Sequence, residues 1–145
     1  MSSFRVLVVD DYEPFRQFVC SALAAKPEFL IVGESSDGLE AVRKSEELQP
    51  DLIVLDVGLP SLNGIEAARR IRKVAPESKI LFVSQESSPD VVQEALNSGA
   101  LGYVIKAHAG RELSVAVGEV LKGRQYTGDG NPERVGSSRR QLIER

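Results

Sequence analysis

The stretch "LIVLDVGLPSLNG", residues 52–64, runs four aliphatic side chains, Leu52 to Leu55, straight into a carboxylate, Asp56. Gly58 and Pro60 then interrupt any regular element, and Asn63-Gly64 follows. A short apolar run without polar alternation, bounded by turn residues, reads as a strand buried on both faces of a parallel sheet. Asp56 then stands at the carboxyl end of that strand, where open α/β sheets bind their ligands.

Working outward, four more apolar runs have the same character: Val6–Val9, Leu30–Val32, Ile80–Val83 and Tyr103–Ile105. Between them the period changes to that of helices. Phe15, Phe18, Val19, Ala22 and Leu23 share one helical face, as do Leu113, Ala116, Val117, Val120 and Leu121. Start signals agree with this reading. Pro14 suits a first helical turn, Asp37 with Glu40 and Asn63 with Glu66 resemble capping boxes, and Ser88-Pro89 reads as N-cap and first position. A strand–helix unit repeated five times predicts right-handed crossovers and a doubly wound α/β sheet. The fifth helix is expected to end near Gly123. The stretch "TGDGNPERVGSSRRQLIER" beyond it is polar and broken by Gly, Ser and Pro, and reads as a linker with at most a helical turn near "RRQLIER".

Composition narrows the classes. The chain has 145 residues, the size of one domain, and its 42% hydrophobic and 27% charged residues are those of a globular protein. A net charge of -3 argues against nucleic-acid binding by the chain as a whole. Cys20 and His108 are the only residues of their kinds, so an internal disulfide, a multi-cysteine metal site and a two-histidine ligand set are all excluded. The N-terminus "MSSFRVLVVDD" is not a signal peptide, and no run approaches membrane-spanning length. A soluble, cytoplasmic protein is expected.

The strand ends carry the chemistry. Strand one ends in Asp10-Asp11, strand three in Asp56, strand four in Ser84 and strand five in Lys106. Strand two ends less distinctively, in Glu34-Ser35. Carboxylates crowded on one rim raise a pKa or demand a cation. A hard divalent ion such as Mg²⁺ takes oxygen ligands, and Asp10, Asp11, Asp56 and a backbone carbonyl near Gly58 are its candidates. Lys106 and Ser84 are donors for further negative charge. A cation, a lysine and a hydroxyl converging on one carboxylate describe a phosphoryl-transfer site with Asp56 as nucleophile.

The motifs "VLVVDD", "LIVLDVGLP", "LFVSQE" and "GYVIKA", in this order, resemble the receiver domain of bacterial two-component response regulators. "VVDDYEPFR", "LDVGLPSLNGIEAARRIR" and "GALGYVIKAHAGREL" look most like its NarL/FixJ subgroup. The resemblance covers about residues 4–123 and implies a receiver over 1–125 and a tail or linker over 126–145. It implies a flavodoxin-like, CheY-like sheet of order 2-1-3-4-5. By this resemblance Asp56 accepts a phosphoryl group from a sensor histidine kinase or phosphotransfer protein, and Asp10 and Asp11 hold Mg²⁺. Lys106 and Ser84 contact the phosphoryl group, and Tyr103 is the aromatic switch, expected to move inward. Gln85 and Glu86 fall where the lifetime of the phosphorylated state is tuned. Ala107 departs from the family by standing where many receivers carry proline. A homodimer fits the resemblance, and catalytic turnover beyond self-phosphorylation and self-dephosphorylation does not.

Other classes fit less well. A DNA-binding regulator needs a helix pair for which residues 127–145 are too few, so the chain is not expected to bind DNA by itself; a longer regulator with this receiver as one part is the alternative. A phosphohydrolase needs an acid/base carboxylate just after its nucleophile, where Val57-Gly58 stands. A nucleotide or flavin binder needs a Gly-rich loop after strand one, where "DDYEPF" stands. Cys20 reads as an inert thiol, His108 as a surface histidine, and "RRIRK" at 69–73 as a solvated, salt-bridged face.

Overall fold

A computed structural model describes residues 3–128. The elements are β1 (Phe4–Val9), α1 (Glu13–Ala24), β2 (Phe29–Ser35), α2 (Gly38–Leu48), β3 (Leu52–Leu55), α3 (Gly64–Val74), β4 (Lys79–Ser84), α4 (Pro89–Asn97), β5 (Gly102–Ile105) and α5 (Ala109–Leu121), with a 3-10 turn at Lys106–His108. The five strands are parallel and ordered β2-β1-β3-β4-β5. This is the doubly wound sheet the strand–helix alternation predicts. No helix among the described residues is long and apolar enough to cross a membrane.

Successive side chains of a strand point to opposite faces, so the central strands feed two cores. Leu7, Val9, Ile53, Leu55, Ile80 and Phe82 pack with Ala41 of α2, Ile65, Ala68 and Ile71 of α3 and Ala95 of α4. Val6, Val8, Leu52, Val54, Leu81 and Val83 pack with Val19 and Leu23 of α1 and Leu113, Val117 and Val120 of α5. Burying one such side chain stabilises by about 1.5–3 kcal/mol, so β1, β3 and β4 form a rigid floor for whatever stands at their ends.

β2 departs from the expectation. It begins at Phe29, runs to Ser35, and is mostly half-buried, with Leu30 exposed. It is an edge strand and lacks a neighbour on one side. The capping boxes form only by half. Asp37 accepts from the Glu40 N–H, and Asn63 accepts from the N–H groups of Ile65 and Glu66. Glu40, however, turns to the Ser35 hydroxyl at 2.8 Å, and Glu66 pairs with Arg69 and Arg70. Ser88 sits at the N-cap without a side-chain bond.

α5 stops at Leu121 because Gly123 takes a left-handed φ of 82°, a conformation that costs glycine little. Its N–H donates to the Val120 carbonyl, and the Arg124 N–H donates to that of Glu119, both at 2.9 Å. This pair of bonds is the Schellman closure. The chain then returns along the sheet edge. The Tyr126 N–H donates to Leu101 O at 2.9 Å, and Tyr126 O accepts from the Tyr103 N–H at 2.8 Å. The backbone pairing therefore reaches one residue past the expected receiver limit at 125. The expected helical turn near "RRQLIER" lies outside the described residues.

Candidate functional site

The carboxyl ends of β1, β3, β4 and β5 surround one cleft of about 470 Å³. Asp11, Asp56, Gly58, Ser84, Gln85, Glu86 and Lys106 line it, together with Tyr12 and Phe15 from the start of α1. Oxygens of Asp10, Asp11 and Asp56 lie within 4.8 Å of one another. The residues that the sequence assigns to four separate strand ends thus meet at one place.

Each acid has a distinct setting. Asp56 is only 6% exposed; its N–H donates to Val9 O at 3.1 Å, and its side chain accepts from the Gly58 N–H at 3.4 Å. Asp10 is buried, accepts from the Tyr12 N–H at 2.8 Å, and offers its carbonyl to the Arg16 guanidinium at 2.8 Å. Asp11 is exposed at the rim. The N-cap of α1 is Tyr12, so Asp11 is not spent on capping.

Lys106 joins the two buried acids. Its Nζ is 2.9 Å from Asp10 Oδ2 and 3.2 Å from Asp56 Oδ2. Burial pulls the Lys106 ammonium down, but its hydrogen bond to Asp10 and the Asp56 and Asp10 charges hold it above the ordinary lysine value. Burial pushes the Asp10 carboxyl up, against the Lys106 and Tyr12 hydrogen bonds, and the Asp56 charge adds to the rise. Two carboxylates no more than 4.8 Å apart repel by about 3.5 kcal/mol at an effective dielectric of about 20. The three clustered carboxylates outnumber the one ammonium among them, which leaves the cluster with a negative surplus. An all-oxygen donor set with that surplus suits a hard divalent cation.

Ser84 is buried, and its Oγ accepts from the Glu86 N–H at 3.3 Å. Tyr103 is 2% exposed, its ring lies 6.0 Å from that of Phe82, and its hydroxyl donates to Glu86 O at 2.8 Å. The inward position is already taken in this conformation, because the space beside Phe82 and the Glu86 carbonyl are both available to it. Burial pushes the Tyr103 hydroxyl up to about 12, with the Ser84 hydrogen bond opposing and the Glu86 and Asp56 charges adding.

That shift has a measurable consequence. The fold disfavours the Tyr103 phenolate, so the native state retains a proton that the unfolded chain loses. The stability from the neutral phenol is complete below pH 10.0 and is lost as pH rises from there through about 12. The loss is on the order of 2 kcal/mol. Urea unfolding between pH 8 and 11.5 is expected to show a steeper alkaline decline in the wild type than in Tyr103→Phe. Identical slopes would contradict it.

Cys20 is half-buried, and burial followed by the Glu34 charge pushes its thiol up to about 11, so it stays protonated at neutral pH. In "RRIRK", Ile71 faces the core while Arg69 bridges Glu66 at 3.1 Å and Glu94 at 3.4 Å. His108 is half-buried, with Nδ1 3.9 Å from Glu112 Oε2. Sequence reasoning missed Phe15, Arg16 and Glu112. Arg16 ties Asp10 to Glu34, which its Nε meets at 2.9 Å. Glu112 is a buried acid on α5 that faces Gly128, where an added methyl group would meet its carboxylate at 2.5 Å. Their roles depend on neighbours far away in sequence, and no local spacing marks them.

The chain as a whole is similar to known proteins. Residues 6–118 match the response regulator receiver domain family. The chain is 34% identical over 125 residues to the transcriptional regulatory protein DegU of Brevibacillus brevis, covering 86% of this chain and 53% of that protein. It is 35% identical over 119 residues to the transcriptional regulatory protein LiaR of Bacillus subtilis, covering 82% and 56%. The crystal structure of a LuxR-family two-component response regulator from Aurantimonas superposes with a TM-score of 0.85 at 30% identity, covering 98% and 99% of the two chains. The chain belongs to the response regulator receiver family. Its relatives place it in the NarL/FixJ-like subgroup, and it spans about half the length of the curated relatives it matches.

Proposed function

We propose that this chain is a phosphoryl-accepting signalling switch with Asp56 as the acceptor. The observation that carries the proposal is the Asp10–Asp11–Asp56 cluster with Lys106 bonded across two of its members. An Asp56 carboxylate oxygen forms the new O–P bond as the P–N bond of a phosphohistidine donor breaks and the imidazole leaves with its electron pair. Asp10, Asp11, Asp56 and the Gly58 carbonyl are the residues that would hold Mg²⁺. When bound, that ion neutralises charge on the rim and on the transferring group. Lys106 supplies a fixed positive charge beside the Asp56 oxygen, and Ser84 lines the same cleft as a hydroxyl donor.

The donor is a sensor histidine kinase or phosphotransfer protein, and the output is a change in partner binding, with homodimerisation as one route. The receiver occupies 1–125, the tail begins at 126 with Tyr126 paired back onto β5, and the protein works in the cytoplasm. No substrate turnover beyond its own phosphorylation and dephosphorylation is involved. A second reading is favoured by one observation: the relatives DegU and LiaR are transcriptional regulatory proteins about twice as long as the stretch they share with this chain. On that reading this is the receiver of a longer NarL/FixJ-type DNA-binding regulator, and the chain itself does not bind DNA.

Calorimetry with Mg²⁺ and beryllofluoride, a phosphoryl mimic, tests the acceptor. Wild type is expected to bind the mimic only with Mg²⁺, and Asp56→Asn is expected not to bind it. Equal Mg²⁺-dependent binding by both proteins would refute the assignment.

A further inference from the structure

We propose that Phe15 is a positioning residue, holding the Lys106 ammonium beside Asp56 through the face of its ring. This rests on the reading of Asp56 as phosphoryl acceptor and adds a residue that neither the motifs nor the carboxylate chemistry assigns. Phe15 lies in the first turn of α1 and lines the cleft. Lys106 Nζ sits 4.7 Å from the Phe15 ring centroid, inside the range in which an ammonium is drawn to an aromatic face. A second ring, that of Phe18, packs on Phe15 at 5.5 Å.

The need for such a contact follows from the other partners of Lys106. An ammonium has three donors and no acceptor. Here Asp10 and Asp56 each form an ion pair with it, and the Lys106 side chain is 17% exposed. Both carboxylates belong to the cluster that suits a divalent cation, so an ion drawing on Asp10 competes with the lysine for it. The ring carries no net charge, binds no Mg²⁺, and has the same attraction whichever carboxylates are engaged. It therefore keeps the ammonium near the Asp56 oxygen while its bond to Asp10 is exchanged. An aliphatic side chain of similar bulk fills the space without this attraction.

The test uses wild type, Phe15→Leu, Phe15→Tyr and Asp56→Asn. The first readout is the NMR shift of the Lys106 ε-methylene protons, which a ring beneath the ammonium moves upfield. The upfield shift is expected in wild type and Phe15→Tyr, with and without Mg²⁺, and is expected to vanish in Phe15→Leu. The second readout is beryllofluoride affinity in Mg²⁺. It is expected to weaken about 3- to 30-fold in Phe15→Leu and to return in Phe15→Tyr. The proposal is overturned if Mg²⁺ abolishes the wild-type shift, if Phe15→Leu binds the mimic as well as wild type, or if Phe15→Tyr is as impaired as Phe15→Leu. Wild type binding the mimic no better than Asp56→Asn would instead overturn the acceptor reading, and this role of Phe15 with it.

Discussion

Asp56→Asn is expected to take up no phosphoryl group from acetyl phosphate and Mg²⁺ under conditions that label the wild type. An amide lacks the charge and the available electron pair of a carboxylate, so the acyl phosphate cannot form. The loss should not reflect unfolding. Asparagine has nearly the same shape, keeps an oxygen for the Gly58 N–H, and leaves the bond between its own N–H and Val9 O intact. The neighbouring acids are poor substitutes. Asp10 is buried and committed to the Tyr12 N–H and Lys106, and Asp11 stands on the exposed rim away from the lysine contacts. Mass spectrometry of intact protein, with peptide mapping, measures the outcome. A stable phosphoryl adduct on Asp10 or Asp11 in the variant would show that the acceptor has been misplaced.

Gly64→Ala is expected to destabilise the fold by about 3 kcal/mol or more and to lower the melting midpoint by roughly 10 °C. Gly64 opens α3 directly beneath the end of β3. Its N–H donates to Val57 O at 2.7 Å, and a methyl group on it would overlap the Asp56 carbonyl oxygen. The Asp56 carbonyl carbon and Val57 Cα would lie at 2.8 and 2.9 Å. All of these are backbone atoms, so no side-chain rotation relieves the contact. Relief requires moving the strand end that carries Asp56, and beryllofluoride binding should fall along with stability. Gly58→Ala is the control, since an added methyl meets nothing within 4 Å there. Thermal unfolding followed by circular dichroism decides the matter: equal midpoints for the two variants would sink the argument.

These two glycines show where sequence reading stops. Both stand in "LDVGLPSLNG", both look like loop or cap residues, and composition does not rank them. Only the packing of α3 against β3 makes one indispensable and leaves the other free.

The sequence by itself determined the alternation of strands and helices, because apolar runs and helical stripes are local patterns with different periods. It also determined the rim residues Asp10, Asp11, Asp56, Ser84 and Lys106, since each stands at the last residue of a strand or within two residues after it, and all strands of a parallel sheet end on one side. The sheet order came from family resemblance; the residues alone did not dictate it. The tertiary structure decided what depends on contacts between distant segments. It placed β2 at the edge and so left Leu30 exposed. It brought the backbone of Tyr126 to β5 and set the ring of Tyr103 inward against Phe82. It also set Lys106, from the end of β5, between Asp10 and Asp56 and over Phe15. The physical reason is separation along the chain: Lys106 and Asp56 are 50 residues apart. Periodicity fixes which face a side chain occupies, but an ion pair at 3 Å is fixed by the folding of everything between its partners.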